Sequence, residues 1–343
     1  MNIAIPIMTF SKAGGHRVIS KFANAWSDAG HNVEIILCYE SEPYFSFNDN
    51  IRITRLKSRS VFDNIKRITR YLRQNWEKYD AIIGNQNRTA FYIWWSAFPR
   101  IKCTKGYYYI QAYEPEFFNF GLKQGLDNFF KIHAWLSYFL PLKRIVNADI
   151  YFKYKNLRAN KVVYPGLDLD NYFPKDTSFF NPIIKIGTIG RTEEWKGTAD
   201  VCKAMEILKA QKIPFEYYIA FNDFNTIPHH FVSPDGDDNL AAFYREMDII
   251  VAACKGQHGA IHYPVIESMA VGSSIVCTNY YPSNENNAFK VEESKPEQIA
   301  DAIKRIITNK EEAVKKRNQA LKDVQQFSWS VLADRFLGYL EGR

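Results

Sequence analysis

The fold prediction rests on three consecutive segments, Met247-Asp-Ile-Ile-Val-Ala-Ala-Cys254, Tyr263-Pro264-Val-Ile-Glu267-Ser-Met-Ala-Val-Gly272 and Ser274-Ile-Val-Cys277. The first and last are short apolar runs typical of buried strands. The middle one has a proline at its start and a glycine at its end, as helices do, and it puts Glu267 in the first turn. A strand, a helix and a second strand in this order predict a parallel sheet with helices on its faces.

The loop before this helix contains His258, Gly259 and His262 and begins at the carboxyl end of a predicted parallel strand. Open α/β sheets bind ligands at that edge. A helix start also offers unpaired N–H groups and a positive dipole end, which suit a phosphate or sugar hydroxyls. An ordinary structural unit, in which Glu267 only complements the helix dipole, would show the same pattern. This stretch alone leaves both interpretations open.

The composition is that of a soluble globular protein, with 46% hydrophobic and 24% charged residues. A length of 343 residues favours two domains of about 150 residues each. No apolar run reaches the roughly 20 residues of a spanning helix, and Met1–Ile7 predicts a strand without a basic secretory region. The five cysteines are far apart, which predicts reduced core residues in a cytoplasmic protein.

The formal charge of +7 is accompanied by 15% aromatic residues. Val61–Trp76 predicts a basic amphipathic helix, and Phe91–Trp95 and Phe129–Phe139 are rich in aromatic side chains. Basic helices with aromatic anchors suit an anionic membrane surface. A solvated basic face and a core filled with aromatics explain the same residues. Nucleic acid is not expected as a partner, because no recognition motif accompanies the charge.

The N-terminal half opens as a doubly wound domain. A strand at Met1–Ile7 leads into a loop with Gly14 and Gly15, a helix from Arg17 and a strand at Asn32–Cys38. Adjacent glycines let the backbone approach a ligand closely, although they do not form G-x-G-x-x-G. Four further strands are predicted, at Tyr79–Ile83, Gly106–Ile110, Ala148–Phe152 and Lys161–Tyr164.

A second series of strands and helices follows a linker at Pro165–Pro174. Its first strand, Ile183–Ile189, ends in Gly190-Arg191-Thr-Glu-Glu-Trp-Lys196-Gly197, which leads into another helix. Arg191 and Lys196 could neutralise a diphosphate, or they could form a surface turn balanced by the two glutamates. Helices are predicted at Pro296–Thr308, Glu311–Gln326 and Val331–Leu340. The two series predict two facing Rossmann-like domains.

Taken together, these motifs resemble the retaining nucleotide-sugar glycosyltransferases of family 4, which have the GT-B fold. The resemblance is carried by the Gly14-Gly15 loop, the Arg191 to Gly197 loop, the linker, the Tyr263 to Val276 segment and the closing helix at Phe327-Ser-Trp329. Tyr109–Phe118 loosely resembles the branch of surface-polysaccharide rhamnosyltransferases. The resemblance implies an acceptor-side domain over residues 1–164, a nucleotide-sugar domain over 165–326, and a C-terminal helix over 327–343 that packs back on the first domain.

The resemblance also implies roles for individual residues. Arg191 and Lys196 would hold the donor diphosphate as catalytic groups, and Glu267 would hydrogen-bond the nucleotide ribose. Tyr263 would lie against the nucleotide, the backbone from His262 to Tyr263 would meet the sugar or phosphate, and Gly14 and Gly15 would admit the diphosphate. The chain departs from the family at one point, because the first glutamate of the E-x7-E motif is replaced by Gly259.

We therefore expect transfer of a hexosyl or deoxyhexosyl group from a UDP- or dTDP-sugar to a saccharide acceptor in surface polysaccharide or glycolipid assembly. Gln111, Tyr113 and Glu114 would orient the acceptor, with Glu114 counted as catalytic. No metal and no cofactor are expected. No D-x-D-type pair follows a strand to hold a metal, and Asp235–Asp238 predicts a turn instead. A lipid-linked acceptor at the inner face of the cell membrane would fit the basic helix. A nucleotide-sugar epimerase and a catalytically silent nucleotide-sugar-binding subunit are the alternatives.

Overall fold

The computed structural model describes residues 1–11, 14–98, 103–117, 125–256 and 259–342, without the side chains of 125 and 126. The chain divides into two compact units. The first comprises Met1–Gly166 and Trp329–Arg343, and the second comprises Leu167–Ser328. Within the described ranges, no helix is both long enough and apolar enough to cross a membrane.

The first unit is built on a parallel sheet that has six strands within its described residues, in the order β3-β2-β1-β4-β5-β6. The strands are β1 Asn2–Ile7, β2 Asn32–Leu37, β3 Arg52–Arg55, β4 Ala81–Gly84, β5 Gly106–Ile110 and β6 Lys143–Val146. The helices that follow them are α1 Gly14–Asp28, α2 Val61–Gln74, α3 Asn87–Ala97 and α4 Gly125–Ser137. This strand order is that of a Rossmann fold, with its switch point between β1 and β4.

The second unit repeats the topology, with described strands in the order β9-β8-β7-β10-β11-β12. They are β7 Ile184–Ile189, β8 Phe215–Ala220, β9 His230–Val232, β10 Ile249–Ala252, β11 Ser274–Cys277 and β12 Phe289–Lys290. The helices are α5 Thr198–Ala210, α6 Gly236–Glu246, α7 Tyr263–Val271, α8 Pro296–Thr308 and α9 Lys310–Val324. Two Rossmann-like units are thus confirmed, and the second has its switch point between β7 and β10.

The last helix, α10 (Trp329–Glu341), belongs to the first unit. Its aromatic side chains pack against those of α1. The Phe22 ring lies edge to face with the rings of Trp329 and Phe336, with centroid distances of 5.2 Å and 5.4 Å. The Trp26 indole donates a hydrogen bond to the backbone oxygen of Ala333 at 3.2 Å. The prediction that the C-terminal helix packs back on the N-terminal domain is therefore confirmed.

Helix α2 is amphipathic, as its sequence predicts. Ser60 caps it by accepting a hydrogen bond from the Asp63 backbone N–H, and Ile68 and Leu72 are fully buried. Trp76 is also buried, in the turn after the helix. The exposed side carries four basic residues, Lys66, Arg67, Arg70 and Arg73. This surface is called the basic face of α2 below.

The predicted strand at Ala148–Phe152 is wrong. Residues Asp149–Lys153 form a 3-10 helix, and the strand that pairs with β5 is β6, which ends two residues before Ala148. The Asp149 carboxylate accepts a hydrogen bond from the Tyr164 hydroxyl, which favours a turn over an extended run. The predicted strand at Lys161–Tyr164 is reduced to one bridge, between Val162 and Val146.

The predicted turn at Asp235–Asp238 is wrong as well, because these residues begin helix α6. Asp235 occupies the N-cap position, and Asp237 and Asp238 lie in the first turn. Carboxylates at that end complement the positive end of the helix dipole. The five cysteines are free and buried, as predicted.

A buried carboxylate lies on β2, beside the edge strand β3 of the first sheet. Glu34 on β2 is 4% exposed and accepts hydrogen bonds from Tyr71, Thr54, Lys78 and Tyr79. Burial raises the pKa of Glu34, but these hydrogen bonds outweigh burial and lower it to about 2. Glu34 therefore stays ionised and stabilises the folded state at neutral pH.

Candidate functional site

The loop after β7 requires glycine at both of its ends. A Cβ atom on Gly190 would lie 2.3 Å from the backbone oxygen of Asn222, and one on Gly197 would lie 2.0 Å from that of Ala253. Gly197 also has a φ of 72°, in the left-handed region that glycine adopts without strain. Glycine thus lets this loop pack directly against the neighbouring backbone.

The same loop is bonded to the segment that follows β10. The Lys255 backbone N–H donates to the Trp195 oxygen at 2.7 Å. The Lys255 ammonium lies 3.0 Å from the Asp200 carboxylate on α5. Strands β7 and β10 flank the switch point of the second sheet. The two ligand-binding candidates of the sequence are therefore parts of one continuous surface at that point.

Two cations lie on this surface. The Arg191 side chain is exposed, and the Lys196 ammonium lies 3.9 Å from the centroid of the Trp195 ring. Burial lowers the pKa of Lys196, and the positive charge of Arg191 acts in the same direction. Both cations also lower the pKa of His262, so the Arg191–Lys196 loop lies within electrostatic reach of the start of α7.

His262 is the N-cap residue of α7. Its Nε2 lies 3.3 Å from the Cys254 sulfur, and its ring stacks on that of Tyr280 with 4.6 Å between centroids. Burial, together with the charges of Lys196 and Arg191, lowers the pKa of His262 to about 3. The imidazole is therefore neutral at pH 7, and the positive potential at this helix start comes from the two cations and the helix dipole.

Glu267 lies one turn deeper than its sequence position suggested. Helix α7 begins at Tyr263, so Glu267 is beyond the first turn, and the prediction of a first-turn acid is wrong. Its side chain is 3% exposed and accepts a hydrogen bond from the Tyr172 hydroxyl at 3.2 Å. Burial and the charge of Glu267 raise the pKa of Tyr244 well above its ordinary value. Two tyrosines thus surround this carboxylate, while Tyr263 is half-buried at the helix start.

The position of the absent glutamate has a backbone that favours glycine. Gly259 has a φ of 79°, and its N–H donates to the Asn279 oxygen at 2.9 Å. A glutamate at this φ would be strained, since left-handed backbone is unfavourable for residues with a Cβ atom. The backbone at this position therefore favours glycine over the glutamate of the E-x7-E motif. His258 lies outside the described residues.

In the first unit, the glycine pair begins a helix and does not form a separate loop. Helix α1 starts at Gly14, three residues before the predicted start. The Gln111 side-chain amide donates to the Gly15 oxygen at 3.2 Å, and a Cβ atom on Gly15 would lie 3.2 Å from the Gln111 side-chain oxygen. A Cβ atom on Gly14 would meet nothing within 4 Å. Gly15 and Gln111, predicted separately, are therefore in contact.

Glu114 caps helix α3. Its carboxylate accepts hydrogen bonds from the Asn87 backbone N–H at 2.9 Å, from the Asn87 side chain and from the Tyr108 hydroxyl at 2.6 Å. Burial raises its pKa, although these donors act against that effect. Since the donors already occupy both oxygens, the geometry favours a positioning role.

Tyr113 lies in a stack of aromatic rings. Its ring centroid is 3.9 Å from that of Tyr154 and 5.6 Å from that of Tyr138, with nearly parallel planes. Its hydroxyl accepts a hydrogen bond from Asn156 at 3.1 Å. The stack fixes the segment that carries Gln111 and Glu114.

Sequence reasoning missed several residues that shape the second unit's surface, namely Thr198, Lys255 and Tyr172. The Thr198 hydroxyl closes the Arg191 loop, since it accepts from the Arg191 N–H at 3.0 Å and donates to the Arg191 oxygen at 3.1 Å. A cation directly after a predicted strand was the available signal for Lys255. Among the described residues, no group of three His, Cys, Asp or Glu side chains could hold a metal ion.

The part of the chain that forms this surface of the second unit matches a known protein family model. Residues 184–309, which include both loops and α7, match the family model described as glycosyl transferases group 1. The fold is GT-B. No curated protein sequence matches the chain.

Solved structures similar to this chain include several glycosyltransferases. Sucrose-phosphate synthase from Thermosynechococcus elongatus is 14% identical, with a TM-score of 0.73 over 99% of this chain and 98% of that one. HepE from Anabaena in complex with UDP is 12% identical, with a TM-score of 0.73 over 100% of both chains. WaaG, a glycosyltransferase involved in lipopolysaccharide biosynthesis, is 12% identical, with a TM-score of 0.65 over 99% of this chain and 100% of that one. The family model and the shared fold together support glycosyl transfer.

Proposed function

We propose that this chain is a retaining glycosyltransferase that moves one sugar from a UDP- or dTDP-activated donor to a saccharide acceptor. We place its action in bacterial surface polysaccharide or glycolipid assembly, in the cytoplasm. The observation that carries the proposal is the joined surface at the β7–β10 switch point. There, the loop of Arg191 and Lys196 is hydrogen-bonded through the Trp195 oxygen to the Lys255 N–H that follows β10, inside the segment that matches the family model.

In this proposal the surface binds the donor diphosphate. The guanidinium of Arg191 and the ammonium of Lys196 neutralise the charge that develops when the bond from sugar to phosphate breaks. The N–H groups at the start of α7, next to His262 and Tyr263, bind phosphate or sugar oxygens. Because His262 is neutral at pH 7, it adds no charge there. With two cations and a helix terminus to stabilise the leaving group, transfer proceeds without a metal.

The nucleotide would bind beside the same helix. Glu267 is held by Tyr172, so its carboxylate is oriented to accept hydrogen bonds from the ribose hydroxyls. Tyr263 offers a ring for the nucleotide to lie against. HepE has been solved with UDP-glucose, which favours a UDP-sugar over the dTDP alternative.

The first unit would bind the acceptor. Gln111 and Tyr113 contact it in this proposal, while Glu114 positions the start of α3 beside it. Gly14 and Gly15 leave room for the donor phosphates. The basic face of α2 favours an anionic membrane surface, and hence a lipid-linked or membrane-proximal acceptor.

Binding of nucleotide-sugars is the first test. A ligand that binds only the folded state raises the melting temperature, so a thermal-shift screen of UDP-, dTDP- and GDP-sugars should single out one nucleotide. Transfer to acceptor with that donor, followed by NMR of the product, should show the donor's anomeric configuration. An inverted anomeric configuration in the product would contradict the retaining mechanism. An unchanged melting temperature with every nucleotide-sugar would contradict the donor site.

A catalytically silent nucleotide-sugar-binding subunit is the second candidate, favoured by Gly259. That position has no carboxylate, and its φ of 79° disfavours one. A silent subunit would bind the donor and never release free nucleotide. A transferase releases free nucleotide when acceptor is added, whereas an epimerase does not require acceptor. An epimerase converts one nucleotide-sugar into another without net release of nucleotide. Nucleotide release with and without acceptor, together with NMR of the recovered nucleotide-sugar, therefore separates the three activities.

A further inference from the structure

Three carboxamide side chains directly follow three neighbouring strands of the first unit. Asn85 follows β4, Gln111 follows β5 and Asn147 follows β6. These strands are adjacent and parallel, so their carboxyl ends meet at one edge of the sheet. The register pairs Ile110 with Val146, and the Asn147 N–H donates to the Ile110 oxygen at 3.0 Å. Gln111 and Asn147 are therefore neighbours across two strands.

Two of these side chains have a buried oxygen without a hydrogen bond. In the described part of the chain, neither Oδ1 of Asn85 nor Oδ1 of Asn147 has a partner, although both atoms are buried. Asn85 is 6% exposed as a whole residue. Buried side-chain polar atoms are hydrogen-bonded in the large majority of cases, so each exception requires a reason.

Asn64, another buried asparagine of the same unit, does have hydrogen-bond partners for its side chain. Asn64 is fully buried in the core of the same unit, where its amide donates to the Tyr92 hydroxyl at 3.1 Å. Its oxygen accepts from the Ser58 hydroxyl at 3.2 Å. The two unpartnered carboxamide oxygens follow β4 and β6, at the edge where open α/β sheets bind ligands. Thr69 Oγ1 on α2 and Arg144 Nε within β6 are also buried and unpartnered, but they lie outside these strand ends.

Gln111 links the strand ends to the start of α1. Its amide donates to the Gly15 oxygen at 3.2 Å, and β4 lies between β1 and β5 in the sheet, so this bond spans the end of β4. A carboxamide both donates and accepts hydrogen bonds and has no charge. Three of them in a row suit a ligand with several hydroxyl groups. The nearest carboxylate of this segment, Glu114, is already engaged by Asn87 and Tyr108.

We propose that Asn85 and Asn147, together with Gln111, form the subsite that binds the neutral acceptor sugar. The unpartnered Oδ1 atoms accept hydrogen bonds from its hydroxyl groups. The inference rests on the proposed function in that it assigns the acceptor's side of the reaction. It names a substrate class, a neutral saccharide, and two residues, Asn85 and Asn147, that contact it.

Stability gives a test that needs no ligand. Replacing Asn85 or Asn147 by leucine removes a buried oxygen that has no partner, so each variant should melt about 2–4 °C higher in calorimetry of the full chain. Asn64→Leu is the matched control, and it should melt lower because its partners lose their bonds. A lower melting temperature for both Asn85→Leu and Asn147→Leu would overturn the proposal.

Binding gives the second test. Saturation-transfer NMR with methyl glycosides of glucose, galactose, rhamnose and N-acetylglucosamine should detect at least one of them on the wild-type chain. The signal should fall at least fivefold in Asn85→Leu and in Asn147→Leu, and it should persist in Asn286→Leu, an exposed residue of the second unit. If Asn85→Leu does not fold, Asn85→Ser replaces it.

The outcomes separate this subsite from the proposed reaction. Binding is measured without a nucleotide-sugar, so absence of transfer with intact, asparagine-dependent binding would count against the reaction alone. No signal from any of the four glycosides, or a signal unchanged in both variants, would overturn the subsite even if transfer is observed.

Discussion

Replacement of Gly197 by alanine tests whether the two loops of the second unit form one surface. Gly197 has a φ of 72°, and its Cβ atom would lie 2.0 Å from the Ala253 oxygen. Left-handed backbone costs alanine about 1–2 kcal/mol. The clash adds about 1–3 kcal/mol, as overpacking does elsewhere. Relief of the clash requires the loop to move by roughly 1 Å, which would break the Lys255–Trp195 hydrogen bond.

The matched control is Gly236→Ala. Gly236 has a φ of 78° and also begins a helix, but its Cβ atom would meet nothing within 4 Å. It should therefore lose only the backbone term, about 1–2 kcal/mol, whereas Gly197→Ala should lose about 2–5 kcal/mol of unfolding free energy. Because a displacement of about 1 Å at a reacting site can cost about 100-fold, Gly197→Ala should also lower donor turnover by about that factor.

Urea unfolding of both variants, together with nucleotide release in the presence of acceptor, gives the measurement. The difference between the variants isolates the contact with Ala253, because both glycines have a left-handed φ of similar size. Equal losses of stability in the two variants, with donor turnover intact in Gly197→Ala, would refute the close approach of the loops.

Other predictions concern the donor charges, the metal, pH and the membrane. Arg191→Ala and Lys196→Ala should each lower turnover about 10²–10³-fold, measured as initial rates, because each removes a group that stabilises the leaving diphosphate. EDTA should leave turnover unchanged, and a loss restored by Mg²⁺ would contradict the metal-free mechanism. Since the pKa of Glu34 is lowered from 4.5 to about 2, its stabilisation is complete above pH 4.5 and is lost as the pH falls through 2. Unfolding titrations should show a loss of about 3 kcal/mol over that window, absent in Glu34→Gln. Arg70→Glu should weaken sedimentation with anionic liposomes at low salt, and equal sedimentation of wild type and variant would remove the basic face of α2 as the contact.

Much of the fold follows from local sequence patterns. Short apolar runs predicted β5 and β11, and helical periodicity after a proline predicted α8, all with the observed bounds, because hydrophobic periodicity and helix starts are local signals. The strand predicted at Ala148–Phe152 failed for a tertiary reason, since Asp149 bonds to the distant Tyr164. The local sequence pattern does not predict that hydrogen bond.

The candidate site was predictable only in part. Arg191, Lys196 and His262 could be chosen because glycine, proline and charge mark loops at strand ends. The Tyr172–Glu267 hydrogen bond joins residues far apart in the chain, and Asn85 has no spacing that distinguishes it from an ordinary loop residue. Asn147 was missed because the misplaced strand put it before a strand, whereas it follows one.

The contribution of α10 to the first unit has a consequence for biosynthesis. Phe22 and Trp26 pack against Phe336, which the ribosome adds only after all of the second unit has been made. Until then the nascent chain lacks the helix that covers these two aromatic side chains. Since domains generally fold as units during synthesis, the second unit can fold while the first still awaits its last helix. The first unit thus begins synthesis before the second but is completed after it.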